Sequence, residues 1–92
     1  MAYGIIRIYE YEAKNGDIIA DVARNVFGPI VAAEEGFHEF HWIDSGDGEG
    51  ASMAIFDTKE AAEASTFLAG GVVHERLAEY LPKPPRIIEG KI

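Results

Sequence analysis

Fourteen residues, Phe37–Gly50, hold many of the side chains that suggest chemistry; they read FHEFHWIDSGDGEG. Imidazoles such as His38 and His41 can ligate a metal or move a proton, because histidine titrates close to neutral pH. Their spacing separates these uses. Side chains alternate across a strand, so residues three apart point to opposite faces. His38 and His41 therefore do not converge on one metal unless a bulge intervenes, and no metal site is expected. The run G-D-G-E-G is not the phosphate-cradling G-x-G-x-x-G, which opens a helix. Asp47 and Glu49 would repel a phosphate, and Asp44, Asp47 and Glu49 lack the spacing of an EF-hand loop. The glycines read as a hairpin connection that uses positive φ.

Parity sorts the remaining candidates. His38, Phe40 and Trp42 share one strand face. They either line a pocket for a flat ligand or belong to the core. Glu39 and His41 share the other face. In the first strand, Ile6 and Ile8 form a clean apolar face, while Arg7 and Tyr9 lie on a mixed one. Packing the cleaner faces (Ile6, Ile8, Phe40, Trp42) under the helices leaves Arg7, Tyr9, Glu39 and His41 together on the opposite face. That set reads as an acid–base network or as a structural ion-pair network within an interface. His74, on the second helix, is either a general base or a solvated residue. The candidate catalytic residues are thus His74, His41, Arg7 and Tyr9, and the candidate ligand-binding residues are His38, Phe40 and Trp42.

The elements that must position these residues are legible in the pattern. YGIIRIYEY (Tyr3–Tyr11) is β-branched and aromatic, as a strand requires. Asn15 is placed to cap a helix whose apolar stripe runs through Ile18, Ile19, Val22, Val26 and Ile30. Pro29 cannot donate to the Asn25 carbonyl, so a kink or fresh start is expected there. Gly36 is the expected left-handed stop. FHEFHWID is the second strand and ASMAIF the third. Asp57 is the expected cap of a second helix, with Glu60 three residues on. That helix carries the stripe Ala61, Ala62, Ser65, Leu68, Val72, Val73, Leu77 and Tyr80. Gly70-Gly71 weakens it, either to open a cavity or to pack closely. Pro82 stops it, and PPRIIEGKI supplies a last strand. The fold class is α+β, a ferredoxin-like βαββαβ chain with a four-stranded antiparallel sheet. Helices on one side alone would leave an aromatic-rich face in water, so a homodimer packed sheet to sheet is expected.

Composition bounds the rest. Ninety-two residues suit one domain, 1–92. A chain of this size buries roughly 60–65% of its unfolded surface and gains from association. The net charge of −8 argues against a nucleic-acid surface, which needs a basic face. No apolar run approaches the length of a membrane span, and no charged n-region followed by an apolar h-region is seen, so a signal peptide is not expected. With no cysteine there is neither a disulfide framework nor a thiolate zinc site. A cytoplasmic home is expected.

The whole pattern resembles the antibiotic biosynthesis monooxygenase superfamily of dimeric α/β barrels. The residues that carry the likeness are EEGF before the second strand, FDTKEAAEAS into the second helix, and the ending HERLAEYLPKPPRIIEGKI, which is similar to a poorly characterised branch. The resemblance implies a homodimer with a ligand cavity in each subunit between sheet and helices. It also implies a small flat apolar or quinol-type ligand, with or without oxidation by oxygen, and no cofactor. A non-enzymatic ligand-binding or stress-related dimer is the alternative. Haem binding in the superfamily uses an asparagine on the first strand, a tryptophan early in the second helix and a histidine further along it. Only His74 lies near such a position, so haem is disfavoured.

Overall fold

The computed structural model describes residues 2–92. The strands are β1 (Tyr3–Glu10), β2 (Phe37–Asp44), β3 (Glu49–Phe56) and β4 (Arg86–Lys91), and the helical segments are α1 (Gly16–Val22), α2 (Gly28–Ala32) and α3 (Lys59–Val72). The sheet order is β2-β3-β1-β4 with every pair antiparallel. This is the expected ferredoxin-like α+β arrangement, with β3 lying between β1 and β2.

Local chemistry sets the boundaries. Gly36 takes φ +83°, and Gly46 and Gly48 take +85° and +90°, conformations that cost other residues a steric penalty. The cap of α3 is Thr58, one residue beyond the expected Asp57. Its Oγ1 accepts from the Ala61 amide at 3.1 Å. Asn15 stands at the N-terminus of α1 but makes no side-chain cap, because a 3₁₀ turn over Ala13–Asn15 already leads into the helix.

Both helices contain a π turn. The first spans Ala23–Phe27 between α1 and α2, and the second spans Val73–Leu77 after α3. Pro29 explains the first: its ring crowds the preceding turn and its nitrogen donates nothing, so the turn widens. The buried stripe shifts accordingly. Ile19, Ala23, Phe27 and Val31 face the core, while Ile18 and Ile30 are 43% and 39% exposed. In the second helix the buried set is Ala62, Ser65, Ala69, Val72 and Leu77.

The registers give the faces. On the helix side, rows across the sheet read Phe40–Ala54–Ile5–Glu89 and Trp42–Ser52–Arg7–Ile87. On the other side they read His41–Met53–Ile6–Ile88 and Ile43–Ala51–Ile8–Arg86. The expected faces of β1 are therefore reversed: Ile5, Arg7 and Tyr9 lie under the helices, and Ile6 and Ile8 lie outside. The central strand explains the reversal. Ser52 and Ala54 are small, and they leave room beneath the helices for the long side chains beside them. Met53 and Ile55 extend the apolar surface outward.

Candidate functional site

Two spaces meet between sheet and helices. One is a small space of about 30 Å³, walled by Tyr9, Phe27, Phe40, Trp42 and Ser52 with residues of both π turns. A space of that size holds a water and no aromatic ring. The other is an open cleft of about 290 Å³ lined by Arg7, Tyr9, Thr66, Gly70, Lys83 and Ile87 among others. Tyr9, Ala69, Val73 and Leu81 wall both spaces. The cleft lies between α3, the proline-rich approach to β4, and the β1 residues beneath.

The aromatic wall is tightly built. Phe27 meets Phe40 edge-on at 5.3 Å, and Tyr9 and Trp42 lie 6.2 Å apart. Gly50 makes the wall possible. A Cβ there would fall 2.5 Å from the Tyr11 hydroxyl and 2.6 Å from Cζ2 of Trp42. The Tyr11 hydroxyl donates to Asp44 at 2.9 Å, and Asp44 accepts the Gly46 amide at 3.0 Å, which ties the hairpin to this end of the sheet. The Gly46 amide bond, then the Tyr11 bond, holds the Asp44 carboxyl below its ordinary pKa. Burial, reinforced by Asp44, pushes the Tyr11 phenol up.

Arg7 is the unusual member. It is 1% exposed. Its Nη1 donates to Ser52 Oγ at 3.4 Å, and its Nη2 donates to Ser65 Oγ and, at 3.5 Å, to Thr66 Oγ1. Its carbon centre sits 5.7 Å over the Phe27 ring. Its Nε has no partner among the described residues, and neither has Trp42 Nε1. Burial lowers the Arg7 pKa, opposed by Tyr9 and by Glu89 on the edge strand. Burial raises the Tyr9 phenol, with Arg7 pulling the other way. At neutral pH the pair is a guanidinium cation beside a neutral phenol.

The structure brings Arg7, Tyr9, Phe40 and Trp42 together under the helices and separates the three histidines from them. A register shift between Phe37 and Glu39 marks a bulge at His38. This extra residue turns His38 away from Phe40 and Trp42, and its Nε2 pairs with Asp57 Oδ1 at the surface. His41 meets Glu39 at 2.9 Å on the outer face, so the expected set of Arg7, Tyr9, Glu39 and His41 is divided by the sheet. His74 is exposed and lines neither space. No group of three potential metal ligands occurs among the described residues. Ser52, Ser65, Thr66, Phe27 and Lys83 join the site without having been singled out. Ser65 carried a signal, a hydroxyl on the buried stripe of a helix, where a polar partner is needed.

No protein-family model matches the chain, and no curated protein does. Solved structures do match. A candidate antibiotic biosynthesis monooxygenase from Nitrosomonas europaea aligns with a TM-score of 0.80 at 14% identity, over 99% of this chain and 89% of that one. A second Nitrosomonas europaea protein, of unknown function, gives 0.81 at 17%, over 99% and 88%. A Streptomyces coelicolor monooxygenase in complex with Nanaomycin D gives 0.78 at 13%, over 99% and 87%. The fold is that of the antibiotic biosynthesis monooxygenase-like structures. No helix among the described residues is long and apolar enough to cross a membrane.

Proposed function

We propose that this protein binds a small, flat, largely apolar ligand of quinol type between its sheet and helices, as a cytoplasmic homodimer. One observation carries the reading: a cleft of about 290 Å³ shares Tyr9, Ala69, Val73 and Leu81 with the adjoining space, whose wall is completed by Phe27, Phe40 and Trp42. The volume lies at the lower end for small-molecule sites, which suits a ligand of one or two rings. A monooxygenase of the same fold is known in complex with Nanaomycin D. The homodimer rests on the outer sheet face, where Ile6, Ile8, Met53 and Ile55 are half-buried and Ile43 and Ile88 are 58% and 50% exposed. A second copy of the same face would cover this apolar surface.

Oxidation without a cofactor is the second reading, favoured by the Arg7 cation at the cleft wall. A guanidinium there stabilises a bound quinolate. The quinol would give two electrons and its two phenolic protons to oxygen, leaving quinone and hydrogen peroxide. Those protons reach the reduced oxygen by way of solvent, because no histidine lines the cleft and Tyr9 is already protonated. Thermal shift with a panel of naphthoquinols, run beside an oxygen electrode, tests both readings. Stabilisation with oxygen uptake supports oxidation, and stabilisation without uptake leaves binding alone. No stabilisation by any member of the panel refutes the binding reading.

A further inference from the structure

The cleft's charge is opposite to that of the chain around it. The protein carries 16 acidic and 8 basic residues. Even so, Arg7 and Lys83 line the cleft and no aspartate or glutamate does. Arg7 is buried without a carboxylate. The ion pairs among the described residues are Lys14–Glu12, His38–Asp57 and His41–Glu39. Glu89 is near enough to influence Arg7, yet it is exposed on the edge strand and forms no ion pair with it.

A buried charge without a counter-charge is strongly disfavoured unless something completes it. The groups that meet Arg7 in the protein are neutral hydroxyls. Two of those bonds, at 3.4 Å and 3.5 Å, are longer than ordinary hydrogen bonds. Ser65, the third, accepts from Nη2 while donating its own proton to the Ala62 carbonyl, and so supplies no negative charge. The unpartnered Nε leaves one edge of the guanidinium fork without an acceptor.

We propose that the ligand is an aromatic carboxylate whose acid group pairs with Arg7 in this cleft, while its ring lies toward Tyr9. The inference rests on the binding reading above and narrows its substrate class. One carboxylate oxygen takes the buried, unpartnered Nε–H, and the second displaces the long Thr66 contact from Nη2, which gives the paired geometry of an arginine fork. A single phenol oxygen satisfies Nε alone. Lys83, at the rim, adds attraction for an anion without fixing its orientation. Because the ligand supplies the missing counter-charge, its acid group and Arg7 each make the burial of the other less costly.

Calorimetric titration of the full chain with 2-naphthoate and with its uncharged isostere, 2-naphthamide, tests this. The acid should bind tighter by on the order of tenfold to a hundredfold, as a charge-assisted pair implies. Arg7→Met, which keeps much of the volume, should remove the preference and bind both probes alike. Amide binding equal to or tighter than acid binding in the wild-type protein overturns the carboxylate inference and leaves the flat-ligand reading intact. Binding of neither probe, with no stabilisation by the quinol panel, overturns both. A retained preference for the acid in Arg7→Met also overturns the assignment to Arg7. The wild-type comparison decides the matter even if that variant does not fold.

Discussion

Gly70 and Gly71 interrupt the best-formed helix of the protein, and replacing them by alanine should stabilise it. Both are exposed, and a Cβ built on either meets no atom within 4 Å. Neither has a positive φ. Nothing in the chain itself thus requires glycine there. Alanine is favoured over glycine in a helix interior by about 1 kcal/mol, partly because glycine leaves the unfolded chain more freedom to lose. Adjacent helical side chains do not face one another, so the two gains should add to about 2 kcal/mol. For a domain of this length each kcal/mol moves Tm by about 4–8 °C. Gly71→Ala alone should raise Tm by that amount, and the double variant by roughly twice it. Urea unfolding at fixed protein concentration should show a higher midpoint and an unchanged slope. A lower midpoint would refute the reasoning, because it would mean that something close covers this stretch. Gly70 lines the cleft and Gly71 does not. Gly71→Ala should therefore leave 2-naphthoate affinity unchanged, which separates stability from binding.

Two further outcomes follow from the same geometry. Ile6→Glu places a charge in the middle of the outer row His41–Met53–Ile6–Ile88, and should convert the proposed homodimer to a monomer at micromolar concentration; a wild-type monomer, or a variant that stays dimeric, in sedimentation would sink the sheet-to-sheet arrangement. The Tyr9 and Tyr11 phenols are both held above their ordinary value of 10.0 in the folded protein. The stability they confer is full below pH 10 and is lost as pH rises beyond it, so Tyr9→Phe and Tyr11→Phe should each flatten the fall of Tm between pH 9 and 11, and an unaltered alkaline profile would refute the shifts.

The βαββαβ element order, the limits of β2 and the left-handed Gly36 were all readable, because each follows from short-range chemistry: alternation, turn glycines, and caps. The faces of β1 were not. Parity groups Ile5, Arg7 and Tyr9 together but does not say which way the group points. The rule that cleaner faces go inside chose wrongly because it weighs side chains one strand at a time. The decision lies in the neighbouring strand, where Ser52 and Ala54 leave space on one side and Met53 and Ile55 fill the other. His38 was misplaced for a related reason. A single bulged residue resets parity, and nothing in FHEF marks the bulge. Phe40 and Trp42, downstream of it, kept their face, so the ligand-binding candidates split between the wall of the site and the surface.

The two π turns explain how the remaining walls come into place. A regular continuation of the buried positions Ala62, Ser65, Ala69 and Val72 would next bring Arg76 inward. One added residue in the turn brings Leu77 inward instead and leaves Arg76 in solvent. In the first helix the same widening buries Phe27 and Val31, where a stripe at Val26 and Ile30 was expected. Each π turn therefore acts as a correction of register, and each correction builds the site. Phe27 owes to the first its position over the Arg7 guanidinium and against Phe40. Val73 and Leu77 owe to the second their place on the smaller space. A cation–π contact offsets part of the cost of burying Arg7 but provides no counter-charge. The helices thus hold an arginine under the sheet's aromatic wall and leave its charge to be neutralised from the cleft.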